Sequence, residues 1–484
     1  MIQVYLSDLS FQYDVHSLIK AFFQEEDVTV SALEQPGPSY TGFVIREQDA
    51  VMICSYYKDG QQACDETRSP AGEDRAETKS ALKRSLYDLL VTLTGKSLPW
   101  GTLTGIRPVK LAMKMLSEGA SDEEIRAFMA EKYLVSDEKI SLATEIAKRE
   151  NGIIKSVDAE NGFSLYIGIP FCPTTCMYCS FTSYPIGRFK NLTDDYLLAL
   201  ERELALVADV FAGRKLTSIY IGGGTPTTLE PEQMMRLQEV LDRYFDCGSA
   251  LEYTMEAGRP DSITAEKLRT MLAIGINRIS VNPQTMQDDT LKLIGRRHTV
   301  KQTVEAFWLA REIGLHNINM DIILGLPGED IGMVRDTLSQ IRELGPDSLT
   351  VHSMAIKRAA AMHDFLTAHP EIKSTNTPEM MDLTAKAASD MGMHPYYLYR
   401  QKNMAGNFEN VGYAKEGMYG IYNILIMEEV QPIAAVGAGT ISKVIMESVR
   451  IERCDTIKDV DLYLRSVDQV IDKKREFYNA FYGK

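Results

Sequence analysis

Three of the seven cysteines lie within eight residues, and their spacing is the first feature of the sequence with a chemical meaning. Cys172, Cys176 and Cys179 follow the pattern C-x3-C-x2-C in the segment YIGIPFCPTTCMYCSF. Thiolates spaced in this way on a loop can surround one metal centre. A structural zinc site and an iron–sulfur cluster would both use them, and incidental burial of three cysteines is the non-functional alternative.

The number of ligands separates the two metal sites. A structural zinc ion takes four protein ligands in a closed tetrahedron, and the nearby sequence has neither a histidine nor a fourth cysteine. A cubane cluster held by three thiolates leaves one iron without a protein ligand, so a cofactor or substrate can bind there. The sequence therefore favours the cluster. We interpret the other cysteines as ordinary thiols: Cys54, Cys64, Cys247 and Cys454.

A glycine-rich turn follows the next predicted strand. Gly222-Gly223-Gly224-Thr225-Pro226 comes directly after the strand Ser218–Ile221. Glycines allow the backbone to approach a ligand closely and expose amide donors, so such a turn can bind a carboxylate or an amino group. Taken alone, the motif is equally typical of a tight turn without a ligand.

Polar residues also occur at or near the ends of later predicted strands. Glu256, Gln284 and Asp321 are three of them, and Arg296 follows in the segment LIGRR. Barrel enzymes place their sites at the carboxyl ends of their strands, so these residues are expected to share one pocket. The alternative for each is a surface polar group or a satisfied buried one, and for Arg296 a solvated cation at a helix end.

These residues are positioned by short apolar strands that alternate with longer helical stretches. Such alternation predicts parallel β/α units, and hence an α/β fold with a partial or full parallel β/α barrel. The predicted strands are Ser164–Ile169, Ser218–Ile221, Glu252–Glu256, Arg278–Val281, Asn317–Ile323 and Ser348–His352. The predicted helices span 194–212, 231–245, 265–274, 300–313 and 331–344.

The barrel core is expected over residues 160–355, with a further region on each side. Residues 1–150 predict an α+β domain of unknown role, with short strands up to about residue 60, a polar loop at Thr67–Glu77 and helices after it. Residues 356–484 predict a mainly helical region on the substrate side of the barrel.

Composition excludes several classes of function. The net charge of -15 and pI near 5.1 oppose binding to nucleic acid or to an anionic membrane, because both need clustered cations. No apolar run approaches the roughly 18 residues that span a bilayer, and the first residues lack the pattern of a signal peptide. We expect a cytoplasmic protein without a membrane span or a nucleic-acid partner.

The cysteine motif is similar to that of a known superfamily. Cys172-x-x-x-Cys176-x-Tyr178-Cys179 resembles the radical SAM signature, in which an aromatic residue typically precedes the third cysteine. Gly222–Pro226 resembles the glycine loop of the same superfamily. The resemblance implies a [4Fe–4S] cluster on the three cysteines and S-adenosylmethionine (SAM) chelating the open iron.

Within that superfamily, residues 164–353 resemble the oxygen-independent coproporphyrinogen III oxidases, also called coproporphyrinogen dehydrogenases. The phrases that carry the likeness are Tyr166-x-x-Ile169-Pro170-Phe171-Cys172, Gly222-Gly223-Gly224-Thr225-Pro226-Thr227 and Asn319-x-Asp321-Ile322-x-x-Gly325-Leu326-Pro327-Gly328. With its long N-terminal domain, the chain is most similar to the Bacillus-type subgroup. It departs from the family at Gly168, usually histidine, and at Ser180, where the best-known members have glycine.

The resemblance implies a function and a set of site residues. The implied reaction is radical oxidative decarboxylation of coproporphyrinogen III propionates to vinyl groups, giving protoporphyrinogen IX in anaerobic haem biosynthesis, with flavodoxin or ferredoxin as electron donor. The residues implied to contact SAM or line the remaining SAM and substrate volume are Tyr166, Tyr178, Gly223, Gly224, Thr225, Glu256, Gln284, Arg296, Asp321 and Ala355. Cations expected to hold substrate carboxylates are Arg259, Arg296, Arg297, Lys357 and Arg358.

Two other functions remain open at the level of sequence. A haem chaperone of the same family would keep a cluster and transfer haem, although such relatives usually carry an HNxxYW-like segment that we do not find here. A radical SAM enzyme acting on another tetrapyrrole or a lipid is the second alternative. Analysis of the product distinguishes all three.

Overall fold

The computed structural model describes residues 1–482 except 25, 65, 71, 73, 106, 356–360, 401–407 and 447–449. It divides into two compact units, the first formed by residues 1–148 with 399–409 and the second by residues 149–398 with 410–484. Lys357 and Arg358 fall within 356–360 and so lie outside the described residues. Within the described part, no helix has both the length and the apolar character that crossing a membrane requires.

The first unit is a mixed sheet packed against helices. Its strands are β1 (Ile2–Leu6), β2 (Val28–Ala32), β3 (Gly42–Gln48), β4 (Val51–Lys58), β5 (Gln61–Gln62) and β6 (Thr67–Pro70). Its helices are α1 (Gln12–Phe22), α2 (Arg75–Thr94), α3 (Val109–Ser117), α4 (Asp122–Tyr133) and α5 (Asp137–Ser156), within which the boundary between the units falls. The strand order is β2-β1-β3-β4-β5, with β6 also paired to β4.

Two elements of this unit differ from the prediction. The segment Thr67–Glu77, expected as a loop, contains β6 and the start of α2. Its proline, Pro70, lies at the end of the strand, where a missing N–H disturbs the ladder least. Helix α1 lies in a region expected to form strands, and it buries Val15, Leu18 and Ile19 in the core.

The second unit contains the parallel sheet. Its strands are β7 (Gly162–Ile169), β8 (Phe171–Cys172), β9 (Tyr184–Pro185), β10 (Lys215–Gly223), β11 (Glu252–Glu256), β12 (Arg278–Ser280), β13 (Ile318–Leu324), β14 (Ser348–Ser353), β15 (His394–Tyr399), β16 (Asn410–Ala414), β17 (Ile433–Val436), β18 (Ile441–Ile445) and β19 (Ile451–Asp455). Its helices are α6 (Ile186–Phe189), α7 (Thr193–Val210), α8 (Pro231–Tyr244), α9 (Ala265–Ala273), α10 (Asp288–Leu293), α11 (Val300–Ile313), α12 (Ile331–Leu344), α13 (Ala361–Ala368), α14 (Pro378–Asp390), α15 (Ile421–Glu428), α16 (Val460–Arg465) and α17 (Val467–Tyr482).

The strands β7, β10, β11, β12, β13 and β14 are neighbours in this order and pair in parallel. The sheet continues through β16 and β15 on one side and through β17, β18 and β19 on the other. Among the described residues its two outer strands do not pair with each other, so the barrel is partial. The predicted β/α fold is confirmed.

Local signals explain why the helices begin and end where they do. Helix α11 begins with a capping box formed by Thr299 and Gln302, and it ends at Gly314, whose φ of 107° favours glycine. Helix α8 begins with Pro231 at its first position. In the C-terminal region the expected helices are present, and they are accompanied by strands β15–β19, which the sequence analysis did not predict.

Candidate active site

The register of the parallel strands places polar side chains on one face of the sheet. Tyr166 lies opposite Tyr220, Glu256 opposite Ser280, and Asp321 opposite Thr350. Because side chains alternate along a strand, residues in register or two apart share a face. The polar residues of this face include Tyr166, Tyr220, Glu256, Ser280, Asn319, Asp321, Thr350 and His352.

The cysteine loop, residues 172–179, begins three residues after the end of β7. Cys172 ends the short strand β8, and the N–H of Cys179 donates to the carbonyl of Cys176 at 3.1 Å, which folds the loop back on itself. The glycine turn packs against the loop, since the N–H of Thr225 donates to the carbonyl of Phe171 at 2.7 Å. The Thr225 hydroxyl also donates to the Cys172 sulfur at 3.4 Å.

Glycine is required in this turn because of the close approach. A Cβ at Gly224 would lie 2.6 Å from the carbonyl oxygen of Phe171, and Gly223 has a φ of 106°. Both residues therefore allow the turn to lie against the loop that carries Cys172. The cysteine motif and the glycine motif, which are separate in the sequence, therefore pack against each other.

The three thiols match the donor set of an iron–sulfur cluster. Cys172, Cys176 and Cys179 are free and half-buried. Burial raises the pKa of Cys172 to about 11 and also raises that of Cys179, so their thiolates require nearby positive charge such as iron. Tetrahedral zinc would hold its sulfurs about 3.8 Å apart. Among the described residues no three His, Cys, Asp or Glu side chains surround a single ion position, as a zinc site would require. A cubane cluster does not require this, because each of its irons takes only one thiolate.

A stack of tyrosines lies beside Glu256. The ring centroids of Tyr166 and Tyr220 are 5.9 Å apart, and those of Tyr220 and Tyr422 are 4.5 Å apart. The Tyr220 hydroxyl donates to Oε1 of Glu256 at 2.6 Å. Burial, assisted by the charge of Asp321, raises the pKa of Glu256 to about 7. Tyr220 and Tyr422 were not among the site residues predicted from the sequence, although Tyr220 lies two residues before the glycine turn.

Gln284 and Asp321 meet at the middle of β13. The N–H of Gln284 donates to the carbonyl of Asp321 at 2.9 Å, and its φ of 68° is unusual for a residue with a side chain. Nε2 of His352 lies 3.7 Å from Oδ2 of Asp321, and Asn319 donates to Oδ1 at 2.7 Å. Burial raises the pKa of Asp321, but His352 and Asn319 outweigh that effect and the net pKa is lowered.

Several buried polar atoms near this point have no hydrogen-bond partner among the described residues. They belong to a group that we call the orphan cluster: Ser280, Asn282, Gln284, Arg296 and His298. Burial, together with the charge of Arg296, lowers the pKa of His298 to about 3. Unpaired buried groups cost stability, so a concentration of them indicates a surface that a polar ligand completes.

The structure changes the roles expected for two arginines. Arg296 is only 6% exposed and donates to the carbonyl of Asn282, so it is not a solvated helix-end cation. Arg259 is 3% exposed and bonds to Asp261 and Thr174, so it is not available for a substrate carboxylate. Arg297 is exposed, as a substrate-binding cation requires.

The remaining predicted site residues are Tyr178 and Ala355. Burial raises the pKa of Tyr178, and the charge of Arg296 opposes that shift. Ala355 is half-buried just after β14. The departure at Gly168 also has a structural cause, because a Cβ there would lie 2.5 Å from Cγ2 of Thr440, which is buried.

Comparison with known proteins identifies the family. The solved structure of coproporphyrinogen III oxidase (HemN) from Escherichia coli shares the fold, with a TM-score of 0.51 and 24% identity over 66% of this chain and 72% of that chain. A family model described as the radical SAM superfamily matches residues 166–341. The oxygen-independent coproporphyrinogen-III oxidase-like protein HemZ of Bacillus subtilis (strain 168) is 42% identical over 417 residues, which are 84% of this chain and 82% of that protein.

This chain belongs to the HemZ/HemN family of radical SAM proteins. Radical SAM proteins bind a [4Fe–4S] cluster and S-adenosylmethionine, and these are the cofactors of this protein. The HemZ/HemN family contains proteins with different activities. The haem chaperone HemW of Bacillus subtilis (strain 168) is 33% identical over 267 residues, which are 54% of this chain and 66% of that protein.

Proposed function

We propose that this protein oxidatively decarboxylates propionate side chains of coproporphyrinogen III to vinyl groups, giving protoporphyrinogen IX in anaerobic haem biosynthesis. The observation that carries the proposal is the extent of the likeness to the oxidase-like protein HemZ, which covers 84% of this chain. The likeness to the chaperone HemW covers 54% of it. The buried polar face next to the cysteine loop supports a site in which SAM and an acidic substrate lie together.

Cys172, Cys176 and Cys179 are our candidates for the ligands of the cluster. When bound, the cluster and SAM supply a deoxyadenosyl radical that removes a hydrogen atom from the substrate. The protein orients these groups and excludes water and oxygen. The Thr225 hydroxyl, 3.4 Å from the Cys172 sulfur, would fix that sulfur in place.

The glycine turn and Glu256 are our candidates for binding SAM. Gly223, Gly224 and Thr225 lie next to the cysteine loop, and Tyr166 and Glu256 lie on the adjacent face of the sheet. A carboxyl group with a pKa of about 7 becomes a carboxylate when a cationic amino group lies beside it, so Glu256 suits the ammonium of SAM.

The orphan cluster would line the rest of the SAM and substrate volume. Gln284 and Arg296 have buried atoms there that lack a partner in the part of the chain that the structure describes. Asp321 lies in the middle of β13, and Ala355 follows the end of β14. Of the cations expected to hold substrate carboxylates, Arg297 is exposed and stays a candidate together with Lys357 and Arg358. We further propose a cytoplasmic location, and flavodoxin or ferredoxin as electron donor.

The decisive experiment is an anaerobic assay of the cluster-reconstituted, reduced protein with SAM and coproporphyrinogen III. We expect deoxyadenosine and protoporphyrinogen in amounts that rise together. Deoxyadenosine without any change in the porphyrinogen would contradict the proposed substrate. The Cys176→Ala variant, treated identically, is the control for chemistry that does not involve the cluster.

A haem chaperone is the second candidate, because HemW is 33% identical over 267 residues. A chaperone would bind haem stoichiometrically and release it unaltered, and it would form no protoporphyrinogen. Absorbance titration with haem, followed by mass spectrometry of the recovered tetrapyrrole, distinguishes the two functions.

A further inference from the structure

Arg259 is a buried cation directed at the cysteine loop. It follows β11 by three residues and is 3% exposed. Its Nη1 donates to the Thr174 carbonyl at 3.2 Å and lies 3.7 Å from the sulfur of Cys176. The side chain therefore contacts the loop between the first and second cysteines, through both backbone and sulfur.

The orientation of the guanidinium is fixed from the opposite side. Asp261 accepts from Nε at 2.9 Å and from Nη2 at 2.7 Å, which is the bidentate arrangement that a planar guanidinium favours. The Thr174 hydroxyl accepts from both terminal nitrogens at 3.1 Å. These bonds leave Nη1 as the nitrogen that faces the Cys176 sulfur, so a donor and a positive charge are held there with little freedom to move.

A cation and an N–H donor beside a cluster sulfur favour the reduced cluster, because reduction adds one negative charge. The reduction potentials of iron–sulfur clusters depend on net charge, on hydrogen bonds to sulfur and on exposure to solvent. Burial strengthens this interaction because Arg259 is removed from water, while the Asp261 carboxylate offsets part of the charge.

We propose that Arg259 is a positioning residue that raises the reduction potential of the cluster through Cys176, so that the electron donor can reduce it. Asp261 holds the guanidinium in the required orientation. The proposal concerns the cluster and not the substrate, so it holds whether the protein acts on coproporphyrinogen III or on another compound.

The test is a redox titration of the reconstituted full-length protein in the absence of porphyrinogen. The reduced cluster is detected by electron paramagnetic resonance at each potential. Arg259→Gln removes the charge and keeps a side chain of similar polarity. At the potential that half-reduces the unchanged protein, we expect the ratio of reduced to oxidised cluster to fall about tenfold, equivalent to about 59 mV for one electron. Arg243→Gln removes the same charge from an exposed site on α8 and should leave the ratio unchanged.

A second variant keeps the test decisive if Arg259→Gln does not assemble a cluster. Arg259→Lys retains the charge, but one ammonium group cannot bond to Asp261, Thr174 and Cys176 together, so we expect a smaller fall of about threefold. Iron content per chain is measured for every variant. An Arg259→Gln protein with a full cluster and an unchanged potential overturns the proposal, and so does an unchanged Arg259→Lys protein if the first variant lacks iron.

Discussion

Two buried polar regions of the second unit differ in how completely their hydrogen bonds are made. One is the orphan cluster near the end of β12, with unpaired atoms on Ser280, Asn282, Gln284, Arg296 and His298 among the described residues. The other, which we call the anchor cluster, consists of Tyr196, Glu203, Tyr463 and Lys474, all buried.

In the anchor cluster every polar side-chain atom has a hydrogen-bond partner. Oε1 of Glu203 accepts from the N–H of Gly437 at 2.9 Å and from the Tyr463 hydroxyl at 2.5 Å, and Oε2 accepts from Lys474. Lys474 also donates to the carbonyl of Ala435 at 2.5 Å. The Tyr196 hydroxyl donates to the carbonyl of Gly168 at 2.7 Å. These bonds join α7 and α17 to the residues around β17.

The difference distinguishes a structural role from a binding role. A buried polar network that is fully bonded rigidifies the fold, whereas one with unpaired atoms lowers stability until a ligand satisfies it. We therefore assign the anchor cluster to the scaffold, and we propose that the orphan cluster is part of the binding site. The following experiments test this division, from the largest expected effect to the smallest.

The largest effect is expected from the cysteine loop. Replacing Cys172, Cys176 or Cys179 singly by alanine should remove the cluster and reduce deoxyadenosine formation below detection. The free energy of unfolding of the cluster-free protein should change by less than about 1 kcal/mol, because these side chains are half-buried. Iron analysis, product assay and denaturant unfolding measure the three quantities.

Cys247→Ala is the matched control, since Cys247 is also half-buried and lies away from the loop. It should keep both iron and activity. An active variant lacking all three loop cysteines would contradict the assignment of the cluster site.

Breaking the anchor cluster should reduce stability without directly affecting the chemistry. Lys474→Met leaves Glu203 buried without its cation, so we expect the free energy of unfolding to fall by about 3–5 kcal/mol. Replacing both residues, with Glu203→Leu added, should recover much of that loss, because no buried charge is then unpaired. Denaturant unfolding measures both variants. Equal losses in the single and double variants would contradict a role that depends on the ion pair.

The pKa of Glu256 gives stability a dependence on pH that originates in the site. Its ordinary pKa is 4.5 and burial raises it to about 7, so the folded protein binds more protons than the unfolded chain between these values. The free energy of unfolding should therefore fall as pH rises from 4.5 through 7, by as much as about 3 kcal/mol.

The Glu256→Gln variant cannot titrate at this position, so its stability should lose that part of the slope. Denaturant unfolding of both proteins at several pH values between 5 and 8 makes the comparison. Parallel profiles for the two proteins would show that Glu256 is already ionised in the fold.

The smallest effect is expected from a comparison of two glutamines that are each 8% exposed. They are Gln284 in the orphan cluster and Gln238 on α8. Gln284→Met removes an amide oxygen that has no partner in the described part of the chain, so stability should stay constant or rise by up to about 1 kcal/mol. SAM affinity should fall about tenfold. Gln238 accepts from Tyr253 and donates to Asp242, so Gln238→Met should cost about 1–3 kcal/mol and leave SAM affinity unchanged.

Thermal unfolding and calorimetric titration with SAM measure these two quantities. If both glutamine variants lost stability equally, the distinction between the orphan cluster and an ordinary buried network would fail.

The sequence predicted the barrel well because its signals are local. Strand β11 was predicted with the bounds observed, Glu252–Glu256, and helices α11 and α12 likewise. Apolar runs, caps and glycines lie within a few residues of one another, and strand ends in parallel sheets meet at one edge. The prediction of a loop at β6 was wrong, because its polar residues and its proline are typical of a loop. Helix α1 was not predicted, because it lies among short apolar runs that are typical of strands.

The site was predictable as a set of residues but not as a set of contacts. The cysteine and glycine motifs indicated the cluster region, whereas the position of Tyr422 beside Tyr220 depends on packing between residues far apart in the chain. Arg259 could be identified as a cation but not as the partner of Cys176 and Asp261. Such pairings follow from tertiary structure, which no local pattern encodes.

Because β17 lies late in the chain, its parallel pairing with β7 can form only near the end of synthesis on the ribosome. Strand β7 acquires β10 as a neighbour early in synthesis, but its other edge has no partner until residues 433–436 are made. At about 5–20 residues per second, the nascent chain carries this open edge for roughly 10–40 s. An unpaired strand edge is a template for aggregation, so chains that terminate before residue 433 should require chaperones to stay monomeric.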